Sequence, residues 1–133
     1  MSTFSKRSQK AAEGLDGTLA KKMAGKYDRA LEAEVRAWMG GLGVEVEGDD
    51  FVAALRSGVT LCELINAIKP GTIRKLNKRS KPFLMMENIS SFLGAAVTMG
   101  VLASEAFQTV DLFEAKNPAA VLRCVAALMR NNS

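Results

Sequence analysis

The sequence predicts an all-α domain, with four main helices and several short ones arranged around a central buried helix. Three observations predict it. No segment alternates apolar and polar residues with period two, so no strand is expected. Apolar residues instead recur at three- and four-residue spacing in one stretch after another. Those stretches are punctuated by residues that start helices (Asp28, Asn117-Pro118) and residues that stop them (Gly41, Gly43, Pro70-Gly71, Gly100). At 133 residues the chain is one domain, long enough to bury a core without disulfides or metals.

Residues 1–13 are polar and read as a disordered basic tail. Leu15, Leu19, Met23 and Tyr27 then make a thin helical stripe. Gly14, Gly17 and Gly25 weaken it, so this helix is expected to depend on docking onto the rest. Asp28 caps the next helix, in which Leu31, Val35, Trp38, Met39 and Leu42 share a face, with Trp38 as a core anchor. A short helix with Phe51, Val52, Ala54 and Leu55 follows, capped by Asp49 or Asp50 and ended near Gly58. Residues 59–68 are apolar on most sides, through Val59, Leu61, Cys62, Leu64, Ile65 and Ile68. A helix of that kind is buried, so it is placed at the centre.

Residues 71–82, GTIRKLNKRSKP, form the longest non-helical stretch. Helical periodicity resumes near Leu84 and runs to Gly100 through Met85, Ile89, Phe92, Leu93, Ala96 and Val97. Ser104 and Thr109 are candidate caps of short turns, with Leu112 and Phe113 pointing inward. The last helix starts at Asn117 and Pro118 and buries Val121, Cys124, Val125, Leu128 and Met129.

Composition excludes several chemistries. There is no histidine, which removes Ser–His and Cys–His nucleophiles and histidine-ligated metals. No P-loop or GxGxxG is present. No catalytic, cofactor or metal residue is assigned, and an enzyme is not expected. Cys62 and Cys124 sit in apolar helical patterns without CxxC spacing, and read as reduced core residues. No apolar run is long enough for a membrane span, and the first residues lack the apolar core of a signal peptide, so a cytoplasmic protein is expected.

The net charge of +4 is mild, but the charges are segregated. Residues 1–30 are basic, 31–71 acidic. In 72–90, Arg74, Lys75, Lys78, Arg79 and Lys81 face Glu87 alone. Such a patch can steer an acidic partner. It is equally readable as a solvated loop beside a solvated tail. Nucleic acid is not expected, because the basic stretch has no interleaved aromatics for stacking.

Met86-Glu87-Asn88-Ile89 opening an apolar helix, Phe107-Gln108-Thr109-Val110-Asp111-Leu112-Phe113-Glu114, and Gly58-Val59-Thr60-Leu61-Cys62-Glu63-Leu64-Ile65-Asn66 together resemble a calponin-homology domain of the single-domain calponin and transgelin type. The segment from Gly14-Leu15 through Lys26-Tyr27-Asp28 resembles the leader of those proteins, and Glu34, Arg36, Trp38 and Met39 their first long helix. The central helix of the family commonly reads DGVxLCxLxN, and here Ser57 stands in place of the acid. The resemblance runs over nearly the whole chain. It places the domain at 14–131, after the tail of 1–13 and before a short tail at 132–133.

The resemblance implies a cytoskeleton-associated module that contacts F-actin or another cytoskeletal protein; a monomer is expected, and the charge pattern adds weak anionic-lipid contact as an expectation. The alternative is a regulatory or scaffold domain for a signalling protein or microtubules. The 133 residues carry neither the short C-terminal repeats of many relatives nor a second domain, so weak binding is expected. Candidate contact residues are Arg74, Lys75, Lys78, Arg79 and Lys81 in the loop. By resemblance to the actin surfaces of the family, Arg29, Glu32 and Arg36 on the first long helix and Arg123 and Arg130 on the last are added as exposed positions. The signature residues themselves read as fold determinants: Leu61, Leu64, Ile89 and Phe92 as core, Asn66 and Asn88 as partners of backbone groups at junctions, Asp111 and Glu114 as caps or ion pairs.

Overall fold

The computed structural model describes residues 26–133. The tail read over 1–13 and the stripe of Leu15, Leu19 and Met23 lie outside the described residues. The described residues are helical, with no strand among them. Four longer helices carry the architecture: α1 (Arg29–Gly41), α3 (Val59–Ile68), α4 (Pro82–Thr98) and α6 (Pro118–Asn132). Two short ones, α2 (Phe51–Leu55) and α5 (Thr109–Phe113), and a 3₁₀ turn at Ala103–Glu105 fill the corners.

Most of the helices begin at a capping side chain or a proline. Asp28 Oδ1 accepts from the Leu31 N–H at 3.0 Å, and Asp50 Oδ1 from the Ala53 N–H at 3.0 Å. Asn117 Oδ1 accepts from the Ala120 N–H at 3.1 Å, with Pro118 taking the first helical position. α4 starts earlier than the apolar period suggests, because Pro82 is its first residue after an extended Lys81. Thr109, expected as a cap, is instead the first residue of α5. Gln108 is the cap, and Asp111 Oδ2 reaches back to accept from its N–H at 2.8 Å.

Two helices end alike. After α1, the Val44 N–H donates to Met39 O at 2.9 Å and the Gly43 N–H to Gly40 O at 3.0 Å; after α4, Val101 bonds Ala96 O at 3.1 Å and Gly100 bonds Val97 O at 3.2 Å. This is the Schellman closure. It turns the chain inward, so that Val44 and Val101 are buried next. Gly100 adopts φ 103°, and a Cβ there would also meet the Asn131 side chain at 3.1 Å.

The core lies between α3, α4 and α6. Leu61, Cys62, Leu64 and Ile65 of α3 have no exposed surface, as the all-round apolarity of that helix implies. α3 packs along α4, and α1 packs on α6. α6 is buried even more broadly, from Ala119 to Leu128 with Arg123 as its exposed interruption. Alanines at 119, 120, 126 and 127 make this possible, since they let neighbouring helices approach on several sides. Phe92 of α4 and Phe107 stack with centroids 6.2 Å apart. Trp38 is partly buried against the core. Leu42, expected on the buried face of α1, is 38% exposed, because the helix ends there and the chain turns at its cap.

Candidate functional site

The 69–81 connection carries the densest run of cations, and two asparagines hold it to the core. Asn66, near the end of α3, pairs both ways with Ile73: its Nδ2 donates to Ile73 O at 3.0 Å and its Oδ1 accepts from the Ile73 N–H at 2.8 Å. This is a backbone-like pair made by a side chain, and it presses Ile73 into the core. Asn88, on α4, is fully buried. Its Nδ2 donates to Ser57 O at 3.0 Å and to Asn77 O at 2.7 Å, while its Oδ1 accepts from the Asn77 N–H at 2.9 Å and Asn77 Nδ2 at 3.2 Å. An amide has two donors and two acceptor sites, and here all are used. The Cys62 thiol donates to Asn88 O at 3.3 Å.

The α2–α3 corner must come close for this. Gly58 has φ 77°, and a Cβ there would lie 2.6 Å from Asn88 Cβ and 2.9 Å from Ile89 N. Glycine at 58 is thus demanded twice, by its backbone and by the approach of α4. The Gly58 and Asn88 positions of the two sequence stretches singled out above form one contact, which joins α3, α4 and the loop.

The non-helical stretch of 71–82 is therefore pinned at 73 and 77. Arg74, Lys75, Lys78, Arg79 and Lys81 are all exposed. Lys75 Nζ lies 4.0 Å from Glu87 Oε1, a loose pair with the lysine side chain 78% exposed. Glu87 also accepts from Asn77 Nδ2 at 2.8 Å. The acids Glu45, Glu47, Asp49, Asp50 and Glu63 gather elsewhere, around a depression beside α2 and α3. The positive field of the loop is thus left largely uncompensated locally.

The helix residues expected at the surface divide. Glu32 and Arg36 are corrections: Glu32 is buried and Arg36 half-buried. Arg36 Nε pairs with Glu32 one turn earlier, Nη1 donates to Val46 O at 3.1 Å and Nη2 to Asp49 O at 3.3 Å. The guanidinium also lies 5.5 Å from the Phe51 ring centroid. Its planar fork clamps the 44–50 segment onto α1, which occupies the donors a partner would need. The Glu–Arg spacing of four was a readable signal for the pair; the backbone acceptors were not. Tyr27 stands beside Glu32, and burial first, then that carboxylate, hold its phenol protonated above the usual range.

Arg29 is exposed at the mouth of a cleft of about 410 Å³ between α1, α2 and the start of α6. Arg123 is exposed on α6, and its side chain is not without a partner. Arg130 is exposed, and its Nη2 donates to Glu105 Oε2 at 2.9 Å. Glu105 in turn accepts from the Leu102 N–H at 3.0 Å, so this pair braces the 3₁₀ turn against α6. The loop and helix cations occupy different places, and the structure does not bring them into one cluster.

Among the described residues no group of acids and cysteines could hold a metal ion, and no helix is long and apolar enough to cross a membrane. A sequence model of the calponin homology (CH) domain matches residues 30–133. The chain belongs to the calponin-homology family. It is 43% identical over 120 residues to myophilin of Echinococcus granulosus, covering 88% of this chain and 63% of that protein. It is 36% identical over 115 residues to calponin-2 of Mus musculus, covering 86% of this chain and 38% of the relative. Calponin-2 of Homo sapiens matches with the same identity over the same length. The chain thus spans under two thirds of these relatives, and the similarity is that of a calponin-type CH domain. The hydrogen bonds of Asn66 and Asn88 give these two residues a structural role, holding the 69–81 connection to α3 and α4.

Proposed function

We propose that this CH domain is a cytoskeletal binding module of the cytoplasm that contacts actin filaments, directly or within an actin-associated assembly, and that its pinned basic loop supplies the electrostatic part of the contact. The observation that carries this reading is the set of exposed side chains of Arg74, Lys75, Lys78, Arg79 and Lys81 on a loop whose backbone is held by Asn66 and Asn88. A pinned loop presents its charges at lower ordering cost than a free one. The resemblance to calponin-2 and myophilin supports a cytoskeletal partner, and the charge supports an acidic one. Arg29, Arg123 and Arg130 on α1 and α6 stand as a second contact region. Glu32 and Arg36 are left out of it because their side chains are spent on the fold.

Any one exposed ion pair contributes only ~0.2–1 kcal/mol, so the loop has to act as a group. Co-sedimentation with actin filaments across a salt series tests it. Wild-type binding should weaken steeply with added salt. Reversing Lys75, Lys78 and Arg79 to glutamate should lower affinity roughly tenfold at low salt, from several such pairs together, and leave the melting temperature unchanged. A triple variant that sediments like wild type removes the loop from the contact. Sedimentation with microtubules and not with actin would replace the partner.

A further inference from the structure

Phe83 is the most exposed large apolar side chain among the described residues, at 68%. Helical geometry explains why. The buried face of α4 is set by Met85, Ile89, Phe92 and Ala96. Phe83 stands about 200° around the axis from Met85, on the outward side. Met86, three residues on, shares that side and is 37% exposed. Glu87, four residues on from Phe83, lies on the same face, accepts from Asn77 Nδ2 and lies near Lys75 of the loop. The residues Lys78, Arg79, Ser80, Lys81, Pro82 and Phe83 are exposed without interruption. The apolar pair and the basic loop therefore make one continuous surface.

We infer that Phe83, with Met86 beside it, is the apolar anchor of this surface, inserting into an apolar recess on an acidic protein partner while the loop cations pair with the acids around that recess. The inference rests on the proposed filament contact and deepens it. Protein interfaces concentrate their energy in a central aromatic ringed by polar contacts, and Phe83, directly following the exposed cations Lys78, Arg79 and Lys81, can serve as such a centre. Its position at the start of a long helix, held by Pro82 and the Asn88 network, leaves little ordering to be done on binding. Charge complementarity favours an acidic partner. The partly exposed Glu87 within the same face favours a protein over an anionic bilayer, since a bilayer would repel that carboxylate whereas a protein can supply it a donor.

The test separates anchor from charge. Wild type, Phe83→Ala, Phe83→Leu and the Lys75/Lys78/Arg79→Glu variant are each co-sedimented with actin filaments over a salt series, and floated with vesicles containing phosphatidylserine. Phe83→Ala should weaken filament binding about tenfold, as a hot-spot aromatic does, with an unchanged salt slope and melting temperature. Phe83→Leu should recover part of the loss. The triple variant should flatten the salt slope instead. If Phe83→Ala binds filaments like wild type while the triple variant does not, the contact is purely electrostatic: the anchor is wrong and the filament reading stands. If wild type does not sediment with filaments, both fall. If Phe83→Ala loses vesicle binding and keeps filament binding, the occupant is a membrane and the inference is overturned.

Discussion

Asn88 does the most at the scale of single residues. Its amide uses every donor and acceptor site inside the protein, bonding the backbone of Ser57 on one side and Asn77 on the other. Asn88→Ala leaves those buried groups unpaired, at a cost of about 2–4 kcal/mol. It should lower the unfolding midpoint sharply and raise amide exchange at Asn77 and Lys78. An unchanged midpoint would show that the loop is held by Ile73 alone. The cysteines make a second case. Both are buried and unpaired in any disulfide. Burial pushes the Cys62 thiol up to about 11 and, with Glu105 adding to it, the Cys124 thiol up to about 12, from 9.0. The unfolded chain therefore loses these protons first. Stability from this source is complete below about pH 9 and falls as pH rises towards about 12. Urea midpoints at rising pH should show the decline, shallower in Cys124→Ala. Neither thiol should label without denaturant, and rapid labelling of Cys124 would turn α6 outward.

At the scale of elements, starts and stops were largely legible. Asp28, Asp50 and Asn117 cap as their types predict, because an N-cap is a local bond between residues three apart. Asn117→Ala should cost about 1 kcal/mol and loosen the first turn of α6, read as faster exchange at Ala120. Equal stability would mean that packing of Ala119 and Ala120 holds the turn unaided. The connection over 69–81 was legible as non-helical and basic, but its rigidity was not. Pinning requires Asn66 to meet Ile73 and Asn88 to meet Asn77, and the further bond of Asn88 to Ser57 O needs α4 to pack against the α2–α3 corner. In α1 the polar pair Glu32 and Arg36 looks like a solvated face. It faces inward because the 44–50 segment folds back over it with free carbonyl oxygens at Val46 and Asp49.

At the scale of the whole molecule, the core is shared among α3, α4 and α6. Amides at Leu64 and Ile65 should exchange only through global unfolding, together with Val125 and Leu128, and far more slowly than those of Lys78 and Arg79. Fast exchange at Leu64 would remove α3 from the centre. The charge pattern is also a whole-molecule property. Basic loop and acidic depression occupy separate surfaces, so steering by the loop should depend steeply on ionic strength while stability should not.

The sequence by itself determined the fold class, the order of the helices from α1 onward and most of their caps, the buried thiols, the basic stretch and, through three short motifs, the calponin-homology family. Each rests on periodicity, on caps or on residue types adjacent in the chain, and such signals survive without knowing what packs on what. Only the tertiary structure decided that Glu32 and Arg36 serve the fold, that Asn88 makes the basic loop a fixed feature, and that Phe83 stands exposed beside it. Those outcomes depend on which backbone groups distant segments bring within hydrogen-bond reach, and on which side of α4 the core happens to lie. A side chain's surroundings are set by the neighbours that folding supplies, and one-dimensional spacing does not carry them.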